Sequence, residues 1–386
     1  MELEGAWNYP TSYHFGAGRI RLLAENTTIL GMKRPLIVTD PGLAALDFVK
    51  AMHTDLNMAG IGAQVFSAIK ANPTAGNVAD GLAAYDGGEH DGVIAVGGGS
   101  ALDAGKAIAL MVGQSGTLWD YVDEGDNWQR INPDTVPPII AVPTTAGTGS
   151  EVGRASVITD EASHTKKIVF HPKMMPSLVV ADPELTLGLP ASLTAATGMD
   201  ALSHNLEAYC APSYHPMAVG ISVEGMRLIK DWLPTAYRTG NDIEARSHML
   251  VASSMGATAF QRGLGAMHAL AHPLGALYDA HHGTLNAILM PYVLVANKSV
   301  IEDRITDLTR SLGFEKIGFT PFLDWILELR ESLQMPHTLA DIGIDDSQAA
   351  LVGQMAEVDP TAGTNPIQFS ADTYSKIFSN GVAGIL

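Results

Sequence analysis

Two stretches of this chain gather side chains able to bind a divalent cation. In "GMDALSHNLEAY", residues 198–209, Asp200 and His204 stand four apart, a spacing that on a helix puts both on one face. In "GLGAMHALAHPLGALYDAHHG", residues 263–283, His268 and His272 repeat that spacing, and His281 and His282 follow beside Gly283. Both stretches are otherwise apolar and rich in small residues, so each on its own resembles buried core. A lone buried histidine needs only a hydrogen-bond partner. A cluster with Asp200 would need a separate partner for each group, at roughly 1–3 kcal/mol for every one left unsatisfied. One cation serves them together. Nitrogen and oxygen donors without thiolate suit Fe(II) or Zn(II), and the pattern does not choose between these metals.

A second set of residues suits a nucleotide. Gly97, Gly98, Gly99 and Ser100 follow the strand-like "GVIAV" and precede the helix-like "ALDAGKAIALMV", which puts bare backbone N–H groups at a helix N-terminus, where a diphosphate is attracted. The spacing is not G-x-G-x-x-G, and a tight turn would account for the glycines alone. The loop "PTTAGTGSE", residues 143–151, again follows an apolar strand and offers the hydroxyls of Thr144, Thr145, Thr148 and Ser150. Asp40 closes the strand "RPLIVTD", where a carboxylate accepts hydrogen bonds from an adenosine ribose and repels a 2′-phosphate, favouring NAD over NADP. Its local competitor is a helix cap before Pro41 and Gly42. Lys166 and Lys167 read either as an exposed strand edge or as a contact of one of them with the cofactor.

These groups need two kinds of scaffold. Up to "PSLVVADPELTLGLP", residues 176–190, short β-branched runs alternate with alanine-rich helical stretches, predicting βαβ units around a mostly parallel sheet. Beyond it, apolar spacings of three and four predict only helices. The boundary is placed among the prolines from Pro183 to Pro190, giving an α/β NAD(P)-binding domain at residues 1–185 and an all-helical metal and catalytic domain at 186–386. Two domains also suit 386 residues, and 46% hydrophobic with 17% charged residues implies extensive burial. A formal charge of −18, from 23 basic and 41 acidic residues, opposes binding to nucleic acid or an anionic membrane. The single cysteine, Cys210, allows no intrachain disulfide; the start does not read as a secretory leader, and no uninterrupted apolar run in the sequence reaches membrane-spanning length. A soluble cytoplasmic protein is expected.

The blocks "FGAG", "GGGSALDAGKAIA", "PTTAGTGSEV", "DPELT", "GMDALSH", "HALAHPLGALYDAHHG" and a closing "NP" at 365–366 occur in that order. With them the chain resembles, over nearly its full length, the iron-containing (group III) alcohol dehydrogenases, the family that includes lactaldehyde reductase and 1,3-propanediol dehydrogenase. The resemblance implies a dehydroquinate-synthase-like fold, with NAD(P) on the first domain and one divalent cation, Fe2+ ahead of Zn2+, on the second across a cleft. Its implied metal ligands are Asp200, His204, His268 and His282, with His272 beside the substrate as the catalytic candidate. It puts Asp40 at the ribose with Asn72 nearby, Gly97, Gly98, Gly99 and Ser100 at the diphosphate, and Thr144, Thr145 and Thr148 toward the nicotinamide. Counting back from Pro172 favours Lys166 over Lys167, and His281 is a spare donor. A small alcohol or aldehyde substrate and a homodimer or larger homo-oligomer are also implied.

The chemistry expected is hydride transfer between a primary alcohol carbon and the nicotinamide, with the cation as Lewis acid toward the substrate oxygen and His272 relaying a proton. The alternative is a carbon–oxygen lyase of the dehydroquinate synthase type. That reaction handles a sugar phosphate and calls for Lys or Arg near the metal, whereas residues 263–283 contain neither. A hydrolase built on the histidine pairs lacks the glutamate base of His-Glu-x-x-His, and a catalytically silent protein would hold this set for no chemistry. Tyr121, Phe260 and Tyr278 are candidate substrate-lining residues.

Overall fold

The computed structural model describes residues 9–163 and 165–386; residues 1–8, part of the start read above for a leader, lie outside them. By the packing of its backbone the described chain forms two compact units, residues 9–145 with 149–187, and residues 188–386 with 146–148.

The first unit is built on a parallel sheet. Its strands are β1 (Ser12–Phe15), β2 (Pro35–Val38), β3 (Gln64–Phe66), β4 (Gly92–Gly97), β5 (Ile139–Pro143) and, after a separate hairpin of β6 (Ala155–Asp160) and β7 (Thr165–Phe170), β8 (Leu178–Ala181). The sheet order is β1-β8-β5-β4-β2-β3 with every pair parallel, while β6 and β7 pair antiparallel. β2, β4, β5 and β8 are buried along their whole length, as expected of β-branched runs covered on both faces. One face packs Ile37, Ile94, Val96, Ile140, Val142 and Val180 against Leu23, Val49, Met52 and Leu56. The connecting helices are α1 (Leu23–Ile29), α2 (Pro41–Ala44), α3 (Asp47–Met58), α4 (Ala75–Gly87) and α5 (Gly99–Met111).

The second unit holds α6 (Ala191–Cys210), α7 (Pro216–Arg238), α8 (Ile243–Ala259), α9 (Ala266–Tyr278), α10 (His282–Ser311), α11 (Phe319–Ser332), α12 (Ala349–Glu357) and α13 (Ala371–Ala383), and no strand among the described residues. α6, rich in small residues, is buried from Thr194 to Cys210, its polar Asp200, His204, Asn205 and Glu207 included, and α7, α8 and α10 pack around it. α10 is long and apolar enough to cross a membrane by composition, but 67% of its most apolar window is buried within the protein, where it carries buried Asn286 and Asn297.

Candidate active site

Three helices bring the metal candidates together. Asp200 and His204 share a face of α6, His268 lies in the first turn of α9, and His282 is the first residue of α10. Between α9 and α10 the chain reverses at Asp279, which takes a left-handed conformation (φ 51°) that Asp tolerates better than most residues. One ligand atom from each of Asp200, His204, His268 and His282 lies within 4.8 Å of all the others. The first three are nearly sealed from solvent. The His204 and His268 rings stack at 4.8 Å, and His282 Nε2 is 3.6 Å from Asp200 Oδ1.

The rings are held from behind. His204 Nδ1 meets the carbonyl of Gly147 at 3.2 Å, and His268 Nδ1 meets Glu207 Oε2 at 2.6 Å. Donation of each Nδ1 hydrogen outward leaves the Nε2 lone pair as the one able to bind a cation. Glu207 also accepts the N–H groups of Gly265 and Met267 at 2.8 and 2.7 Å. Burial pushes its carboxyl up to about 7 against the pull of those donors. Burial, then the neighbouring His204, holds the His268 imidazole well below its ordinary value, so the ring is neutral, the state that binds a cation. Among the described residues Asp200 has no Lys or Arg ion pair; its carboxylate meets His282 and Asn286. Without a Lys or Arg beside it among the described residues, a buried carboxylate calls for compensating positive charge, and three imidazole nitrogens with one oxygen fit a divalent cation that supplies it.

His272 stands outside the four but against them. Its ring stacks on His282 at 5.5 Å and 13°, and its Nδ1 is 2.8 Å from Asp359 Oδ2. Asp359 Oδ1 accepts the amide and hydroxyl of Thr361 at 2.9 and 2.6 Å. Burial alone would raise the Asp359 carboxyl, but His272 and the Thr361 bonds outweigh it and hold it below the ordinary carboxylate range. The ionised carboxylate accepts the His272 Nδ1 hydrogen and fixes the orientation of the ring. Phe260 packs edge-on against His204 at 5.3 Å. Exposed His281 caps α10 outside the donor set. Tyr278 ends α9 with its hydroxyl buried. Tyr121 lies in the α/β unit, where its hydroxyl accepts the Gly116 amide at 3.1 Å.

In the α/β unit the nucleotide candidates meet at the carboxyl ends of β2, β4 and β5. β2 lies between β3 and β4, so the chain order reverses between β2 and β4, the usual crevice for a ligand in an open α/β sheet. Asp40 follows β2 and realises the cap reading, since its Oδ1 accepts the Leu43 amide at 2.9 Å. Its Oδ2 is turned toward Gly97, 3.9 Å from where a Cβ would lie, so capping leaves one oxygen facing the glycine turn. Gly97 has φ 148°, and a Cβ there would meet Ala101 Cβ at 2.7 Å; only glycine suits the turn. Gly98 precedes α5 and faces the Thr145 side chain, and the Thr144 amide donates to the Gly97 carbonyl at 3.0 Å. The Ser100 hydroxyl donates to the Ala71 carbonyl, which brings the Asn72 loop beside the same helix start. Thr148 groups instead with the helical unit, alongside Gly147. The Ser150 hydroxyl is taken by Asp103, which also pairs with buried Lys106 at 3.1 Å. Lys167 pairs with Asp160 at 2.8 Å over the Trp119 ring; Lys166, its neighbour on β7, pairs in register with Thr159.

Comparison with known proteins bears directly on this arrangement. Residues 10–183 match the model of the iron-containing alcohol dehydrogenases and residues 194–382 that of the C-terminal part of the same family. The chain belongs to the iron-containing alcohol dehydrogenases. It is 38% identical to 4-hydroxybutyrate dehydrogenase of Cupriavidus necator, covering 97% of this chain and 99% of that one. A crystal structure of 1,3-propanediol oxidoreductase superposes with a TM-score of 0.92 at 34% identity, covering 98% of this chain and 100% of that one. Sulfoacetaldehyde reductase from Bifidobacterium kashiwanohense, solved in complex with NAD+, gives 0.89 at 26% identity over 98% and 100%. This iron-containing alcohol dehydrogenase has the dehydroquinate-synthase-like architecture of its family, a parallel-sheet unit and a helical unit, and is a metal-dependent oxidoreductase of alcohols and aldehydes. Nothing in its relatives supports the lyase alternative.

Three residues of the site escape a reading of motifs. Glu207 continues the Asp200 and His204 face of α6, and Asn286 stands one turn after His282 on α10; helical spacing carried a signal for both. Asp359, 87 residues from His272, had none, because only tertiary packing brings them together.

Proposed function

We propose that Asp200, His204, His268 and His282 hold one divalent cation, Fe2+ ahead of Zn2+, and that the enzyme exchanges a hydride between NAD and a short, polar primary alcohol or its aldehyde. The observation that carries this reading is the convergence of four ligand atoms within 4.8 Å around a buried carboxylate without a Lys or Arg partner. Bound there, the cation would supply Lewis-acid polarisation of the substrate oxygen and a nicotinamide would supply hydride chemistry. The chain's residues do the rest. Glu207 and the Gly147 carbonyl hold two imidazoles in the ligating tautomer. His272, fixed by Asp359, takes the substrate proton at Nε2 and passes it toward solvent.

On the nucleotide side, Asp40 keeps one oxygen for the adenosine ribose, which favours NAD over NADP. Gly97, Gly98, Gly99 and Ser100 cradle the diphosphate at the start of α5, beside Asn72. Thr144, Thr145 and Thr148 border the nicotinamide, and Lys166 reaches the cofactor because Lys167 is committed to Asp160 and Trp119. In this reading residues 1–185 bind the nucleotide and 186–386 the metal, in a cytoplasmic homodimer or larger homo-oligomer; the lone Cys210 and family membership support those two assignments. The relatives named for 4-hydroxybutyrate, 1,3-propanediol and sulfoacetaldehyde share a short carbon chain with a second polar group, which supports the substrate class.

The test is NADH consumption by metal-stripped protein across short polar aldehydes, with and without anaerobic reloading by Fe(II) or Zn(II). NADH loss that returns with metal is expected. Full activity in the stripped protein would overturn the metal assignment.

A further inference from the structure

Asn286 is fully buried, one turn beyond His282 on α10. Its Nδ2 lies 2.9 Å from Asp200 Oδ1, 3.3 Å from His268 Nε2 and 3.2 Å from His282 Nε2. An amide nitrogen carries two hydrogens, so it cannot serve all three acceptors. Its Oδ1 is buried with no hydrogen-bond partner among the described residues. The oversubscribed nitrogen sits among the donors, and two of its three acceptors are imidazole nitrogens that a cation would engage. Once they are engaged, one acceptor, Asp200 Oδ1, remains for the amide.

We infer that Asn286 is a positioning residue of the metal centre, locking the Asp200 carboxylate so that a cation meets it in one orientation. The inference rests on the metal assignment above. No Lys or Arg ion pair and no backbone N–H bond is seen at the Asp200 carboxylate among the described residues, so its rotation is controlled chiefly by this amide. Being neutral, Asn286 does this without adding a second carboxylate. The donor set keeps a single negative charge, and a divalent ion there retains net positive charge toward a substrate oxygen.

The experiment compares metal retention in Asn286→Leu, Asn286→Ala and Asp200→Ala against a graded chelator, with the visible spectrum of the Co(II)-substituted proteins. Leucine keeps the shape of asparagine but cannot donate, and thermal unfolding of the stripped proteins checks the fold. Asp200→Ala is expected to lose metal outright. Both Asn286 variants are expected to weaken metal binding about 10- to 100-fold, the usual effect of removing a group that orients a ligand, and to shift the Co(II) bands. Wild-type retention and an unshifted spectrum in Asn286→Leu, with Asp200→Ala metal-free, would show that Asn286 only fills space. Full retention in Asp200→Ala would overturn the metal assignment itself, and the inference with it. Should leucine disturb folding, Asn286→Ala, which only removes atoms, gives the same reading.

Discussion

Replacing Gly283 by alanine puts a methyl group where the start of α10 crosses α6. A Cβ built there lies 2.2 Å from the Ala196 carbonyl oxygen, 2.8 Å from its carbon and 3.2 Å from Asp200 Cβ. The obstacle is backbone, so no side chain can swing aside, and restoring a 3.4 Å contact requires the helices to part by about 1.2 Å. His282 immediately precedes this residue and Asp200 sits on the surface it touches, so two of the four donors separate. Overpacking of this kind costs about 1–3 kcal/mol, which for a chain of 386 residues lowers Tm by roughly 1–4 °C. Misplacing a catalytic group by about 1 Å costs on the order of 100-fold in turnover. The assay is thermal unfolding of the stripped protein, with chelator competition and turnover on the reloaded one. Gly220→Ala is the control, since that glycine is exposed on α7 with nothing within 4 Å; it is expected to gain about 1 kcal/mol and keep its metal. Wild-type Tm and metal retention in Gly283→Ala would refute the close-approach argument.

Removing the charge of Asp40 is expected to relax discrimination against NADP. Asp40→Ser retains a capping hydroxyl for Leu43, so stability should change by less than about 1 kcal/mol, and an unchanged ratio of kcat/KM for the two cofactors would undo the ribose assignment. His272→Gln should lower turnover by at least about 100-fold, the typical contribution of a general acid or base, with metal content unchanged because His272 lies outside the four donors. Wild-type turnover and pH profile would remove its relay role. Asp359→Asn should reproduce part of that loss while leaving metal content intact, since Asp359 acts through His272; loss of metal instead would place Asp359 in the metal centre. Burial pushes the Cys210 thiol up to about 12. The thiol therefore stays protonated through the neutral and mildly alkaline range, and because the thiolate is the reactive form, native protein at pH 8 should resist iodoacetamide while unfolded protein reacts. Rapid labelling of the native form would contradict the packing around α6.

Much of this site is local in the chain. Gly97 to Ser100 follow a strand whose burial is visible in its β-branched run, and the pairs Asp200 with His204 and His268 with His272 declare a helical face because the α-helix repeats every 3.6 residues. Periodicity also separates the sheet-building first half from the helical second. Other features depend on distance. Helical spacing makes His268 and His272 equivalent, and only the placement of α6 and α10 turns His268 into the donor cluster and leaves His272 to Asp359. Asp40 illustrates a choice that folding need not make, because a carboxylate has two oxygens: one caps α2 while the other faces Gly97. The commitment of Lys167 to Asp160 and Trp119, the seat of Glu207 behind His268, and the Asn286 amide among the donors were decided by tertiary structure. Their energies come from contacts between segments far apart in sequence, and a local pattern carries no record of which distant backbone or charge will be its neighbour.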